Sequence, residues 1–302
     1  MAPAPGAQRF WTLQHRLAPY AFVSPFVLLF AVFLLYPMGR SLYLSLHRTA
    51  GTGAVEFIGL GHYRYILTDS LFWLACLNTV VFAVLFLAIQ VPASLGLAML
   101  LNSPRVRFRN AFRFAFFSSH VVGGVFVAIL FRLLMAPRQG LVNKFLSVLP
   151  GVGSETNWLG DPWFARPAIV IAALWLTIGW GMIYLLAALQ AVDRELYEAA
   201  EVDGAGRRSQ FWNVTLPGIR PVLAFLVLVG TIAALSLFEL PYVFFQGSGP
   251  KMAGLTIVMY LYEQGFQAGD VGFAAAVGWI LVVLIACVSA AQVRLARAAE
   301  AL

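Results

Sequence analysis

Lysine is almost absent from this chain. Of its 302 residues only Lys144 and Lys251 carry an ammonium group, and neither follows a glycine. A phosphate-binding loop reads G-x-x-x-x-G-K-[ST], and its lysine meets the phosphates. The chain therefore lacks that loop, and ATP hydrolysis is not its own chemistry. Cysteine is as scarce. Cys76 and Cys287 both lie inside apolar runs, where a thiol packs as a small hydrophobe. They say nothing about redox compartment. The four histidines, His15, His47, His62 and His120, are scattered. With no H-E-x-x-H and no paired cysteines, no metal constellation is expected. No G-x-S-x-G marks a serine nucleophile. The expectation is a protein that is not an enzyme and holds no cofactor or metal of its own.

Charge is scarce too, and its distribution is informative. Charged residues make up 11% of the chain and hydrophobic ones 61%, whereas a soluble domain carries about 25% charge. Six runs have no charge at all: residues 17–39, 70–104, 114–131, 167–192, 221–238 and 271–293. A spanning helix needs roughly 20 mainly apolar residues, so each run is a candidate span. The fold class is an all-α polytopic membrane protein. Its six spans are expected at about 18–46, 71–101, 112–135, 167–191, 221–246 and 271–295, forming one membrane domain over 1–302. An unusually apolar soluble α/β protein is the reading these run lengths exclude. No A-x-A-like cleavage site follows the first run, which reads as a retained anchor.

Six spans put both termini on one side. The segments 1–16, 102–113, 193–220 and 294–302 carry two, four, four and two of the 20 arginines and lysines. That bias places both termini in the cytoplasm of a multi-pass protein of the cell membrane. The net charge of +7 is thus a topology signal. Nucleic-acid binding would need a clustered basic face, and none appears. The outward loops, 47–69, 136–165 and 247–270, are rich in Gly, Pro and Trp. Pro150-Gly151 and Gly247-Ser248-Gly249-Pro250 mark turns in them.

The segment Asp193–Arg220 does not fit a simple hairpin. Asp193 can cap a helix, and acids in its first turn suit the dipole. Leu196, Ala199, Ala200 and Val202 form an apolar side opposite Glu195, Glu198 and Glu201. Gly204 and Gly206 let the chain turn. A second short helix, Ser209 to Thr215, is expected to end before Pro217. Residue chemistry alone leaves two readings open, a docking knob or an amphipathic loop helix at the membrane interface.

The spacing carries a resemblance. Glu198-Ala199-Ala200, three residues, Gly204, nine residues, Val214, one residue, then Leu216-Pro217 is similar to the EAA loop of permease subunits of bacterial ABC importers, with Val214 in place of Ile. Flanking segments extend the likeness to sugar-type permeases over roughly residues 20–295. They are Ser24-Pro25-Phe26 through Leu35-Tyr36-Pro37, Gly59-Leu60-Gly61-His62-Tyr63, Asn78-Thr79, Phe238-Glu239-Leu240-Pro241-Tyr242-Val243, and Gly272-Phe273-Ala274. The chain most resembles the maltose-type first permease subunit. The resemblance implies type I ABC importer permease architecture. Its implied partners are a second, different permease (a heterodimer), two cytoplasmic ATPases that bind ATP with Mg²⁺, and an extracytoplasmic solute-binding protein. It implies that Glu198, Ala199, Ala200, Asp203, Gly204, Leu216 and Pro217 couple the chain to its ATPase. Glu198 would make a charge-assisted contact with a basic residue of the ATPase cleft; otherwise it is a solvated helix acid.

In that family the spans beside the loop line the path. Here they carry Trp175, Thr177, Trp180, Tyr184, Ser236, Phe238, Glu239 and Tyr242; Thr177, Trp180 and Tyr184 share one helical face, and Leu235, Phe238, Glu239 and Tyr242 another. An acid in a span is costly and is a functional candidate by default. Glu239 is either a hydrogen-bond acceptor for sugar hydroxyls, one half of a gate, or an acid reaching water at the span's outer end. The expected function is carbohydrate import. The alternatives are an ABC permease for polyamines, phosphate or amino acids, a secondary transporter, for which inverted repeats and broken helices would speak, and a membrane enzyme.

Overall fold

The computed structural model describes residues 5–49, 55–148 and 156–300. Among them the backbone is helical almost throughout, with one antiparallel ribbon pairing His47–Arg48 with Glu56–Phe57. Five helices are long and apolar enough to cross a membrane: Ala18–Ser45, Ser70–Asn102, Pro162–Ala191, Arg207–Phe245 and Val271–Ala298. A sixth crossing forms if the bent pair Arg109–Val121 and Gly124–Leu134 is one span. The Pro150-Gly151 turn lies outside the described residues.

The chain falls into two compact units. One holds the chain up to Tyr65 together with Gln264–Trp279, and the other holds Ile66–Glu263 and the chain from Ile280. In the first unit, the most apolar stretch of Ala18–Ser45 buries nothing, and Phe22 is 85% exposed. Below it the chain is pinned by short polar contacts. The Tyr63 hydroxyl donates to Ser45 Oγ at 2.8 Å. The Thr49 hydroxyl donates to Asp270 Oδ1 at 3.1 Å and accepts the Gly272 N–H at 2.7 Å. A Cβ on Gly272 would overlap the His47 carbonyl, so this residue must be glycine.

The second unit packs three helices around Met182, Leu185, Ala98, Leu101, Ile219 and Leu226. In lipid, helices gain little from apolar contact and come together through small residues and interhelical hydrogen bonds. Both devices appear here. Gly179 lies directly against the Phe116 carbonyl. Gly181 leaves room for Gln90 and Ser94, and the Ser94 hydroxyl donates to the Ile178 carbonyl at 3.0 Å.

A polar knot ties the Ser70–Asn102 helix to the segment after residue 250. Asn78 is fully buried. Its Nδ2 donates to the carbonyls of Met252 and Leu255 at 2.9 and 3.0 Å, and its Oδ1 accepts from Arg166 at 2.8 Å. Thr79 Oγ1 accepts the Ile257 N–H at 3.0 Å. Thr256 Oγ1 accepts the Met259 N–H, capping the short Ile257–Tyr262 helix, and donates to the Leu237 carbonyl at 2.8 Å. The Tyr260 hydroxyl reaches Asp69 at 2.5 Å.

Four features depart from the helices read in the sequence. Pro217 does not stop a helix. Arg207–Gln210 passes through a π turn, Phe211–Thr215, into Leu216–Leu235. Proline lacks an N–H and its ring clashes with the carbonyl four residues back; a π turn moves the bonding to five residues back. The Leu216 N–H accordingly donates to the Phe211 carbonyl. The first span uses the same device. The π turn Ala31–Leu35 precedes Tyr36-Pro37, and the Tyr36 N–H donates to the Ala31 carbonyl. The fourth span starts at Pro162, where Asp161 caps it by accepting the Trp163 N–H at 2.9 Å, and it keeps Pro167 inside it. The third bends by 100° between Val121 and Gly124, where Val122 and Gly123 are extended. The fifth breaks between Leu235 and Glu239 and resumes as Glu239–Phe245.

Candidate functional site

The EAA segment forms a helix, Arg194–Val202, that buries none of its residues. Its first residue follows Asp193, which has the extended backbone of a cap but makes no side-chain capping bond. Its end is well defined. The Gly204 N–H donates to the Glu201 carbonyl at 3.0 Å, and the Ala205 N–H donates to the Ala200 carbonyl at 2.8 Å. These two bonds form a Schellman motif, which needs a left-handed residue at its turn. Gly204 supplies it with φ +77°. A Cβ there would meet nothing within 4 Å, so the glycine is required by backbone angle and not by crowding.

Two bonds hold this helix and the turn after it to the next helix. The Tyr197 hydroxyl lies 2.9 Å from Thr215 Oγ1, and Gln210 Nε2 donates to the Ala205 carbonyl at 3.2 Å. Tyr197 and Ala200 are half-buried on that side, while Leu196, Ala199 and Val202 are exposed. Val202 is 89% exposed, so the apolar side read in the sequence is largely uncovered. Glu198 is exposed and pairs with Arg194 at 3.0 Å. Asp203 is exposed at the helix end, its N–H bonded to the Ala199 carbonyl. Leu216 is half-buried and Pro217 exposed, just past the π turn.

The break in the fifth span opens a cavity of about 300 Å³. Thr177, Ser236, Phe238 and Glu239 face it, together with Phe82 and Leu176. The Glu239 carboxylate is exposed and stands at the start of the Glu239–Phe245 helix. A Cβ on Gly124 would overlap that carboxylate, so the bend in the third span leaves the space Glu239 occupies. The Thr177 hydroxyl donates within its own helix, to Ala173, at 2.7 Å.

The two aromatic faces expected from helical spacing do not survive as single faces. Thr177 faces the cavity, but Trp180 and Tyr184 form a separate cluster. Their rings lie 4.7 Å apart, with Phe225 at 6.3 and 5.6 Å and His120 beside Trp180 at 5.9 Å. Leu235 is buried before the break and does not line the cavity. Tyr242 stacks on Phe238 at 5.2 Å and meets Tyr262 at 5.1 Å. Ser236, read in the sequence as part of the path-lining spans, does face the cavity, whereas sequence reasoning missed the role of Gly124. A glycine pair preceding a short apolar helix was the available signal.

A family model described as "Binding-protein-dependent transport system inner membrane component" matches residues 21–300. The chain belongs to this family. It is a multi-pass transport permease of the inner membrane, and the family is not one of enzymes. The permease is 37% identical over 93% of its length to the arabinooligosaccharides transport system permease protein AraP of Bacillus subtilis (strain 168), covering 88% of that protein. It is also 37% identical to the lactose transport system permease protein LacF of Rhizobium radiobacter, over 92% of this chain and 93% of that one. Among solved structures it resembles a chain of a bacterial ABC transporter involved in the import of the acidic polysaccharide alginate. The TM-score is 0.82 and the identity 28%, over 96% of this chain and 98% of that one. A second such structure, of the alginate transporter with a pentasaccharide-bound periplasmic protein, gives a TM-score of 0.83 and 26% identity over 97% and 98%.

Proposed function

We propose that the permease is the transmembrane subunit of an ABC importer that forms the path for a carbohydrate, driven by ATPases it recruits through the Arg194–Asp203 helix. The observation that carries the coupling assignment is that helix itself. It has the EAA spacing, a glycine-built end, and no buried residue in a chain whose other long helices are apolar. Solutes named for the relatives, arabinooligosaccharides and lactose, support a sugar cargo. Glu239, with Phe238 beside it, supplies a hydroxyl acceptor next to an aromatic ring at the cavity.

The coupling chemistry follows from the geometry. The Glu198–Arg194 pair is exposed on both sides, and such pairs contribute about 0.3–0.5 kcal/mol. An arginine in a drier ATPase cleft would exchange with Arg194 at little cost and form a stronger charge-assisted bond. Leu196, Ala199 and Val202 offer the apolar contact around it. Gly204, Leu216 and Pro217 set the angle between this helix and the span that follows, which transmits movement to the cavity. Two cytoplasmic ATPases holding ATP with Mg²⁺, a second permease as heterodimer partner, a solute-binding protein outside, and cytoplasmic termini complete the assembly.

The test is reconstitution with the ATPase and binding protein. Glu198→Ala is expected to insert normally yet lower solute-stimulated ATP hydrolysis at least tenfold. Unchanged stimulation would remove Glu198 from coupling. Screening solutes for stimulation in the same assay separates sugars from polyamines, phosphate and amino acids.

A further inference from the structure

We infer that the turn joining the second and third spans, Arg105 to Arg113, is a binding surface for the headgroups of anionic phospholipids. Ser70–Asn102 ends at the turn, and six residues separate it from Arg109–Val121. Although no clustered basic face was expected from the sequence, four arginines stand in nine residues here: Arg105, Arg107, Arg109 and Arg113. They fall in two classes. Arg113 is used by the fold, donating to the Leu101 carbonyl at 3.2 Å and to Asn110 Oδ1 at 3.4 Å. Arg105, Arg107 and Arg109 are exposed, and among the described residues none of them pairs with an acid.

Their isolation is built into the sequence. From residue 70 to residue 154 there is no aspartate or glutamate, so this stretch offers no counter-ion of its own. Arg194, by contrast, is an exposed arginine with an acid, Glu198, one turn away. Between Arg107 and Arg109, Phe108 takes left-handed angles, φ +59° and ψ 26°, rare for a bulky residue. The Phe108 ring, flanked in the chain by Arg107 and Arg109, is 77% exposed, with Phe114 74% exposed in the helix that follows. Unpaired arginine forks beside outward aromatic rings, at the end of an apolar span, match the surface between phosphate headgroups and acyl chains. Guanidinium grips phosphate oxygens in two-point geometry, and each basic residue near an anionic surface favours binding about fivefold. The inference rests on the membrane reading of the flanking helices but not on the ATPase assignment or the solute.

The test titrates the intact purified permease with phosphatidylglycerol and with phosphatidylcholine in neutral micelles, reading bound lipid by native mass spectrometry. The wild type is expected to prefer phosphatidylglycerol, and the preference should fall as ionic strength rises. The triple variant Arg105→Gln, Arg107→Gln, Arg109→Gln should lose it by about tenfold or more, whereas the matching triple lysine variant keeps most of it. Retention of the preference in the glutamine variant overturns the inference. Equal loss in the lysine variant also overturns it, since charge would then not be the cause. Displacement of the lipid by equimolar inorganic phosphate would make this a soluble-anion site and overturn the lipid assignment. Loss of ATPase co-purification with an unchanged lipid preference would make it a protein-docking surface and do the same.

Discussion

The Asn78 knot and the Arg194–Val202 helix are built by opposite rules. Asn78 is fully buried, and its donors and acceptor are all used, on Met252, Leu255 and Arg166. The loop helix buries nothing, its one ion pair is exposed, and its terminal glycine faces open space. In a low-dielectric interior an unpaired polar group is expensive, so Asn78 uses every donor and acceptor it has, while Arg166 beside it leaves its Nε unpaired among the described residues. At a surface the same groups stay replaceable. The knot therefore fixes the fold, and the loop helix is left available to something outside the chain.

The largest effect should come from the knot. Asn78→Leu strands two buried carbonyls and one guanidinium edge, each worth about 1–3 kcal/mol when unsatisfied. We expect destabilisation of about 3 kcal/mol or more, read as a lower thermal midpoint of the purified permease. Asn78→Asp divides the loss, since it keeps an acceptor for Arg166 and removes the donor to both carbonyls. An unchanged midpoint in the leucine variant would mean that the knot does not hold the segment after residue 250.

Much of this contrast was legible in the sequence, for a physical reason. Lipid demands long uncharged runs, so the crossing helices stand out residue by residue, and a short motif marks the loop helix together with its turn at Gly204. What escaped was set by distant partners. Asn78 is bonded to residues 174 and 177 positions away, which no local pattern encodes. The break after Leu235 contains no proline or glycine; its freed Leu237 carbonyl is taken by Thr256. Pro217 read as a helix stop, yet it follows a π turn that absorbs the missing N–H, as Pro37 does inside the first span. Trp180 and Tyr184 shared a helical spacing with Thr177, but the packing of Phe225 and His120 drew them into another cluster.

An intermediate effect is expected at Gly204. A β-branched residue at φ +77° costs about 1–2 kcal/mol, enough to fray the turn that bonds Ala200 and Glu201. Gly204→Val should speed amide exchange at Gly204 and Ala205 and weaken stimulated ATP hydrolysis, while membrane insertion stays normal. Gly204→Asn, which tolerates left-handed angles, should lie much closer to wild type. Equal damage by both would mean that the side chain collides with a partner, and the backbone explanation would fail.

The smallest effect should come from Arg194, and it is the sharpest test of the contrast. The pair with Glu198 is 91% and 62% exposed at its two side chains, and its order, base before acid, is the weaker one on a helix. Arg194→Ala should therefore change the thermal midpoint by an amount equivalent to less than about 0.5 kcal/mol. It also releases Glu198 from its only ion pair among the described residues, so ATPase co-purification should hold or tighten. A loss of stability above about 1 kcal/mol, well beyond an exposed pair, would show that the loop helix is folded into the framework as the Asn78 knot is. Weaker co-purification at unchanged stability would instead place Arg194 itself in the docking surface, with Glu198 as its support.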